Sequence, residues 1–293
     1  MAKIRIIADS TCDIEPRFLQ EQHLDMLPLV ITIEDMSYLD RVEIQVEQVY
    51  DCMRQGIVPK TSQIPYERTL ELFTSALENG EDVIYISFSS ELSGCYSVGS
   101  MIVEELRKSY PQRSIAVVDS KGGAGATGLI VLQALRMAAA GISFDTVLSE
   151  AVFMAEHVEH VFSIADLEWL AKGGRISKIV GYVGSRLGFH PILEVEKGSM
   201  VVRGMVHGKK NAIQTVADNI IQKAQKFPAQ LIAICHADDL LSAQKLELLI
   251  KEGLSGCATM LCHIGGVLGV HLGLNGIGAF CFNQISEQYC LLS

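Results

Sequence analysis

The chain has 293 residues, enough for one large or two ordinary domains, and two is the expected number. Apolar residues make up 49% of it and charged residues 20%, which excludes a disordered or fibrous chain. A formal net charge of -10 speaks against nucleic acid and anionic lipid surfaces as general partners, because both reward clustered Lys and Arg.

The N-terminus "MAKIRIIADS" runs straight into a short apolar segment that lacks the core and cleavage site of a signal peptide, so a cytoplasmic location is expected. Ile4 to Ala8 reads as a strand, Pro16 to Gln22 as a helix and Met26 to Ile33 as a possible strand pair. Helices are predicted over Gln45 to Gln55 and Pro65 to Glu78, the latter with proline at a first-turn position where the missing N–H does no harm. A strand Val83 to Phe88, a helix Ser97 to Ser109, a strand Ile115 to Val118 and helices Gly128 to Ala140 and Asp145 to Glu156 follow. This alternation predicts a mostly parallel sheet with flanking helices over residues 1–160.

Residues 161–293 read as a second α/β domain with a more mixed sheet. A helix runs into Gly173-Gly174, a strand pair Pro191 to Glu196 and Met200 to Met205 turns at Lys197-Gly198, and a helix Lys209 to Gln225 precedes a strand Gln230 to Cys235. Asp238 or Asp239 caps the next helix. From Gly253 to Ser286 there is no Asp, Glu, Lys or Arg. Six glycines, His271 and Asn275 within residues 264–282 argue against a membrane span and for buried strands with close backbone approach. The eight cysteines include no Cys-x-x-Cys pair, and Cys235-His236 and Cys257/Cys262-His263 lack paired metal-ligand spacing, so no metal is expected.

Four segments combine hydroxyls with strand ends: Asp9-Ser10-Thr11, Thr61-Ser62-Gln63, Ser89 to Gly94, and Asp119-Ser120. On the carboxyl edge of a parallel sheet they would form an anion site beside helix N-termini. The ordinary alternative is that Thr61, Ser62, Ser93 and Asp13 merely cap their own helices. Gly123-Ala124-Gly125-Ala126-Thr127-Gly128 matches G-x-G-x-x-G, but Asp119 to Gly122 separate it from its strand, so the glycines are expected to let a helix pack closely on the sheet. No phosphate loop of the G-x-x-x-x-G-K-[ST] kind and no G-x-S-x-G elbow occurs, and no spacing singles out a catalytic base among the histidines.

The ordered set "IRIIADSTCDI", "KTSQIPYE", "LSGCYSVGSMI", "VVDSKGGAGATG", "DLEWLAKGGRISK", "PILEVEKGSMVVRGMVHGKK" and "HLGLNGIG" resembles the DegV family of bacterial fatty-acid-binding proteins. The resemblance implies a two-domain α/β fold with a fatty acid threaded into an apolar tunnel. Its carboxylate would be held near the domain interface by Thr61 and Ser93, with Ser62, Gly94 and His271 in the same network. It further implies a non-catalytic protein without cofactor, which presents the acid to a separate ATP-using fatty acid kinase for acyl phosphate formation. Arg175 and Arg203 match residues at the head-group end and the kinase encounter. The chain departs from the family pattern at Ile64, which comes before Pro65, and at His190, where a lysine commonly precedes the proline. Two alternatives stay open: a stand-alone acyl hydrolase or transferase using Ser93 with His271, and a carrier of another hydrophobic acid.

Overall fold

A computed structural model describes residues 3–14, 24–165, 167–175 and 188–289. The predicted helix Pro16 to Gln22 lies outside them. β1 (Ile4–Asp9), β2 (Asp25–Leu27), β6 (Asp82–Ser87) and β7 (Ile115–Asp119) form a four-stranded parallel sheet in the order β2-β1-β6-β7. Its strands are buried on both faces, as a doubly covered parallel sheet requires. One face carries Tyr85 and Val117. Here Phe73 of α2 (Tyr66–Glu78) packs on Tyr85, and Gly99 of α3 (Cys95–Ser109) lets that helix sit directly on both residues.

The predicted strand pair at Met26 to Ile33 is two strands, but they part company. β2 extends the parallel sheet, while β3 (Val30–Ile33) joins β4 (Met36–Leu39) and β5 (Lys60–Ser62) in a three-stranded antiparallel sheet. α1 (Val46–Arg54) begins with a capping box between Gln45 and Gln48.

The second half builds a six-stranded mixed sheet in the order β10-β9-β8-β13-β11-β12. Its strands are β8 (Val158–Ser163), β9 (Phe189–Glu196), β10 (Ser199–His207), β11 (Leu231–His236), β12 (Ala258–His263) and β13 (Ile277–Phe282). The uncharged glycine-rich segment thus supplies β12, β13 and the short helix α9 (Gly266–Leu272) between them. α7 (Lys209–Ala224) and α8 (Leu240–Gly253, capped by Asp239) pack against this sheet. The β9–β10 turn has φ of +48° at Lys197 and +83° at Gly198, which suits a two-residue hairpin that follows the strand twist.

α4 (Ala124–Ala139), apolar and buried along almost its whole length, is the layer shared by the two large sheets, and α5 (Phe144–His157) packs beside it. It starts four residues before the predicted Gly128, because the glycine run is itself helical. A Cβ at Gly125 would lie 2.6 Å from Ala233 Cβ, and one at Gly128 would lie 2.7 Å from the Cys12 carbonyl oxygen. The G-x-G-x-x-G glycines therefore serve close packing, on one sheet and on the loop after β1.

Candidate functional site

The N-terminus of α4, the loop after β6, β5, α6 (Glu168–Lys172), α9 and the inner face of the mixed sheet enclose one large cavity of about 1090 Å³, its open mouth included. Most of its wall is apolar: Phe88, Leu92, Phe162, Val195, Leu268 and Phe280 are among the lining side chains. Thr61, Ser62, Ser93, Gly94, Arg175 and His271 also line it, so residues more than 200 positions apart in the sequence meet at its polar end. Arg203 does not line it. That guanidinium sits at a bulge on the outer strand β10, paired with Glu194 (2.8 Å) and with Glu196.

Thr61 and Ser62 reach the cavity from β5, in the small antiparallel sheet, and not from the carboxyl edge of the parallel sheet. Neither caps a helix: Pro65 holds the N-cap position of α2. Thr61 Oγ1 lies 2.7 Å from His271 Nε2, near the end of α9, and His271 Nδ1 is buried with no hydrogen-bond partner among the described residues. Burial, aided by the nearby Arg175 charge, pushes the His271 imidazole down to about 4, so it is neutral at pH 7. Arg175 donates to the carbonyls of Gly173 (2.6 Å) and Leu92 (3.3 Å), clamping the Gly-Gly turn to the loop after β6.

Ser93 stands before the first turn of α3, with Gly94 as N-cap, and its Oγ accepts from the Cys95 amide (3.3 Å). The first-turn N–H groups of a fifteen-residue helix thus begin at the cavity wall, where they favour an anion. A Cβ on Gly94 would lie 1.9 Å from Gln63 Oε1, so the glycine lets the Gln63 amide approach. Ser93 and His271 do not form a nucleophile–base pair: Thr61 occupies His271 Nε2, and the Ser93 hydroxyl faces Cys95 Sγ at 3.1 Å.

The other serines of the stretch hold the wall. Ser89 Oγ donates to the Gly198 carbonyl (2.7 Å), and Ser199 Oγ to Glu91 (3.2 Å), tying the β9–β10 hairpin to the loop after β6. Ser90 bonds Asp119 through both its amide and its hydroxyl. Asp9, fully buried, accepts from the Thr11 amide and hydroxyl, Tyr85 OH (2.9 Å) and the Phe88 amide (2.7 Å), which anchors the start of that loop.

Sequence reasoning missed the residues that seat α9. The helix that Asp13 was expected to cap lies outside the described residues; at φ of +43° its Oδ1 accepts the Gly265 amide (2.9 Å) and pairs with Arg41. Burial pushes the Asp13 carboxyl up to about 7 against the pull of Arg41. Tyr50 OH donates to the Ile264 carbonyl (2.8 Å), and a Cβ on Gly269 would strike its ring at 2.3 Å. Only Gln63 carried a local signal, its position beside Thr61-Ser62. Cys235 faces Cys262 and His236 faces His263 across β11 and β12, yet among the described residues no group of three or more His, Cys, Asp or Glu is arranged to hold a metal ion. Among them, too, no helix is long and apolar enough to cross a membrane.

Comparison with known proteins matches residues 3–284 to the family described as "Uncharacterised protein, DegV family". A DegV domain-containing protein of Clostridium acetobutylicum is 32% identical over 282 residues, covering 96% of this chain and 98% of the relative. Among solved structures, a fatty-acid-binding DegV family protein from Thermus thermophilus superposes with a TM-score of 0.87 at 24% identity, covering 96% of this chain and 99% of that one. DegV of Bacillus subtilis, described as a fatty acid binding protein, gives 0.85 at 25% identity over 96% and 100% of the two chains. The Fatty Acid Kinase (Fak) B3 protein of Streptococcus pneumoniae, solved loaded with linoleic acid, gives 0.85 at 21% over 97% and 100%.

Proposed function

This chain belongs to the DegV family, and on that premise we propose that it is a lipid-binding protein that holds one long-chain fatty acid with its carboxylate at the polar end of the cavity. The observation that carries the reading is the gathering of Thr61, Ser62, Ser93, Arg175 and His271, with a helix N-terminus, on one side of an otherwise apolar cavity. A carboxylate taken out of water needs charge-assisted hydrogen bonds, which these donors supply. The alkyl chain adds affinity at about 0.8 kcal/mol per buried methylene, before the cost of ordering it.

Division of labour between two units follows from the same reading: the hydroxyls come from residues 1–160, and most of the tunnel wall, with His271, from residues 161–293. The acid's head group is offered to a separate ATP-dependent kinase, which transfers phosphate to the carboxylate and yields an acyl phosphate. The likeness to Fak B3 supports this step. Arg203, on the outer strand of the mixed sheet, faces that partner. The protein works in the cytoplasm.

Native mass spectrometry of the protein before and after delipidation is the test. The expected result is a retained species of long-chain fatty acid mass that can be removed and added back; a protein that never binds such an acid would end the reading.

A pH dependence follows from His271. A carboxylate placed beside the ring favours the imidazolium, so binding raises its pKa from about 4 and takes up protons. Affinity for a short, soluble fatty acid is therefore expected to strengthen as pH falls from about 7 toward about 5, short of the acid's own protonation. Calorimetry in two buffers of different ionisation enthalpy measures the uptake directly. His271→Gln should abolish it, and a proton release in its place would contradict the placement of the carboxylate.

A further inference from the structure

α9 carries His271 to the polar end of the cavity, yet little within the helix holds it there. It has seven residues, two of them glycine, and its N-cap, Gly265, has no side chain to cap it. A helix so short persists only with tertiary support, and glycines weaken it further, so its direction is set by what it touches. Ile31 and Val49 press on Gly266, the Tyr50 ring on Gly269 and Trp169 on Gly273. Apolar contacts of this kind are non-directional.

Two directional bonds meet at the start of α9. Asp13 Oδ1 accepts the Gly265 amide at 2.9 Å, and Tyr50 OH donates to the Ile264 carbonyl at 2.8 Å. Both side chains are 1% exposed, and both come from the first half of the chain, Asp13 from the loop after β1 and Tyr50 from α1. Arg41 pairs with the same Asp13 oxygen and holds the carboxylate in place. Gly265 lets the backbone come this close: a Cβ there would lie 2.9 Å from Asp13 Oδ1 and 2.6 Å from Arg41 Nη2.

His271 lies about 9 Å further along the helix axis, so a rotation of about 10° at the start of α9 would carry its ring about 1.5 Å sideways. The 2.7 Å hydrogen bond to Thr61 does not survive such a shift. Resting on the fatty-acid reading above, we propose that Asp13 and Tyr50 are positioning residues for head-group binding: by holding the Ile264-Gly265 link they aim α9 so that His271 meets Thr61 and the carboxylate. Neither lines the cavity, so neither touches the acid.

The test compares the full-length native protein with Asp13→Ala, Asp13→Asn and Tyr50→Phe, by palmitate affinity after delipidation and by NMR titration of the His271 ring in the ligand-free protein. Burial holds that ring down to about 4, and a misaimed ring that reaches water titrates closer to about 6.5. Asp13→Ala should raise the His271 titration by about one pH unit or more and weaken palmitate binding about tenfold. Tyr50→Phe keeps the ring under Gly269 and should move both in the same direction, with about a threefold loss of affinity. Asp13→Asn keeps an Oδ1 acceptor for the Gly265 amide, suits the φ of +43° and is neutral where burial already favours a neutral group, so both readouts should stay native-like. A merely structural loss lowers the melting temperature without moving the His271 titration. That titration unchanged in both Asp13→Ala and Tyr50→Phe would therefore overturn the proposal, as would an asparagine variant as impaired as the alanine one. If Asp13→Ala does not fold, an unmoved titration in Tyr50→Phe overturns it alone. Failure of the native protein to bind palmitate would instead remove the fatty-acid reading on which it rests.

Discussion

The double variant Thr61→Val, Ser93→Ala is expected to bind a long-chain fatty acid at least about a hundredfold more weakly than the native protein, with its fold intact. On the proposed fatty-acid reading, each substitution removes one hydroxyl donor to the carboxylate, a partner worth about 1.5 to 3 kcal/mol. Every 1.4 kcal/mol is about a tenfold change in the dissociation constant, so two such losses that add come to about two orders of magnitude or more. Valine keeps the shape of threonine, so β5 and its pairing with β3 are retained. Competition with a fluorescent fatty acid measures the affinity, and circular dichroism checks the fold. Native-like affinity in the double variant would mean that the carboxylate is held elsewhere, and that Ser93 serves only to bond the Cys95 amide at the start of α3.

The second large effect concerns α4. Gly125→Val is expected to destabilise the protein by about 3 kcal/mol, lowering the melting temperature by roughly 5 °C. The new Cβ would lie 2.6 Å from Ala233 Cβ and 2.9 Å from Cys235 Sγ, both on the inner strand β11, and 3.2 Å from Phe280 Cδ2 on β13. None of these is the free end of a flexible chain, so helix and sheet must move apart. As α4 also packs against the parallel sheet, and its first residues wall the cavity, the displacement reaches the binding site too. Gly204→Ala is the control: nothing lies within 4 Å of its Cβ position, and a change within about 0.5 kcal/mol is expected. A Gly125→Val protein that melts with the native one would show that α4 is not pressed between the sheets.

Much of this was legible in the chain itself. The period of apolar residues marked β1, β6, β7 and most of the helices, because those elements bury faces set by their own geometry. The hydroxyl-bearing segments were visible as segments, and the motif resemblance singled out Thr61, Ser93 and His271, which the fold does bring to one cavity. Local pattern was silent where a residue answers to a distant partner. Thr61 looked like a strand end leading to a helix, but it is an edge residue of a separate antiparallel sheet. Nothing near Asp13 in the chain announced that its carboxylate accepts from Gly265, 252 positions away. Buried strands were expected in the glycine-rich segment, but the bounds of β12 and β13 and the helix α9 were not legible there, since Gly269 and Gly278 are chosen by what presses on them, Tyr50 and Phe162, and not by helix or strand propensity.

By itself, then, the sequence determined the α/β class, the order of most elements, the family and the types of side chain available to grip an anion. Each depends on neighbours close in the chain or on an ordered set of motifs. Only the tertiary structure decided which hydroxyls meet, that His271 bonds Thr61 and not Ser93, and that Arg203 lies outside the cavity. Those are relations between side chains hundreds of positions apart, and they come into being only when α4 holds two sheets together.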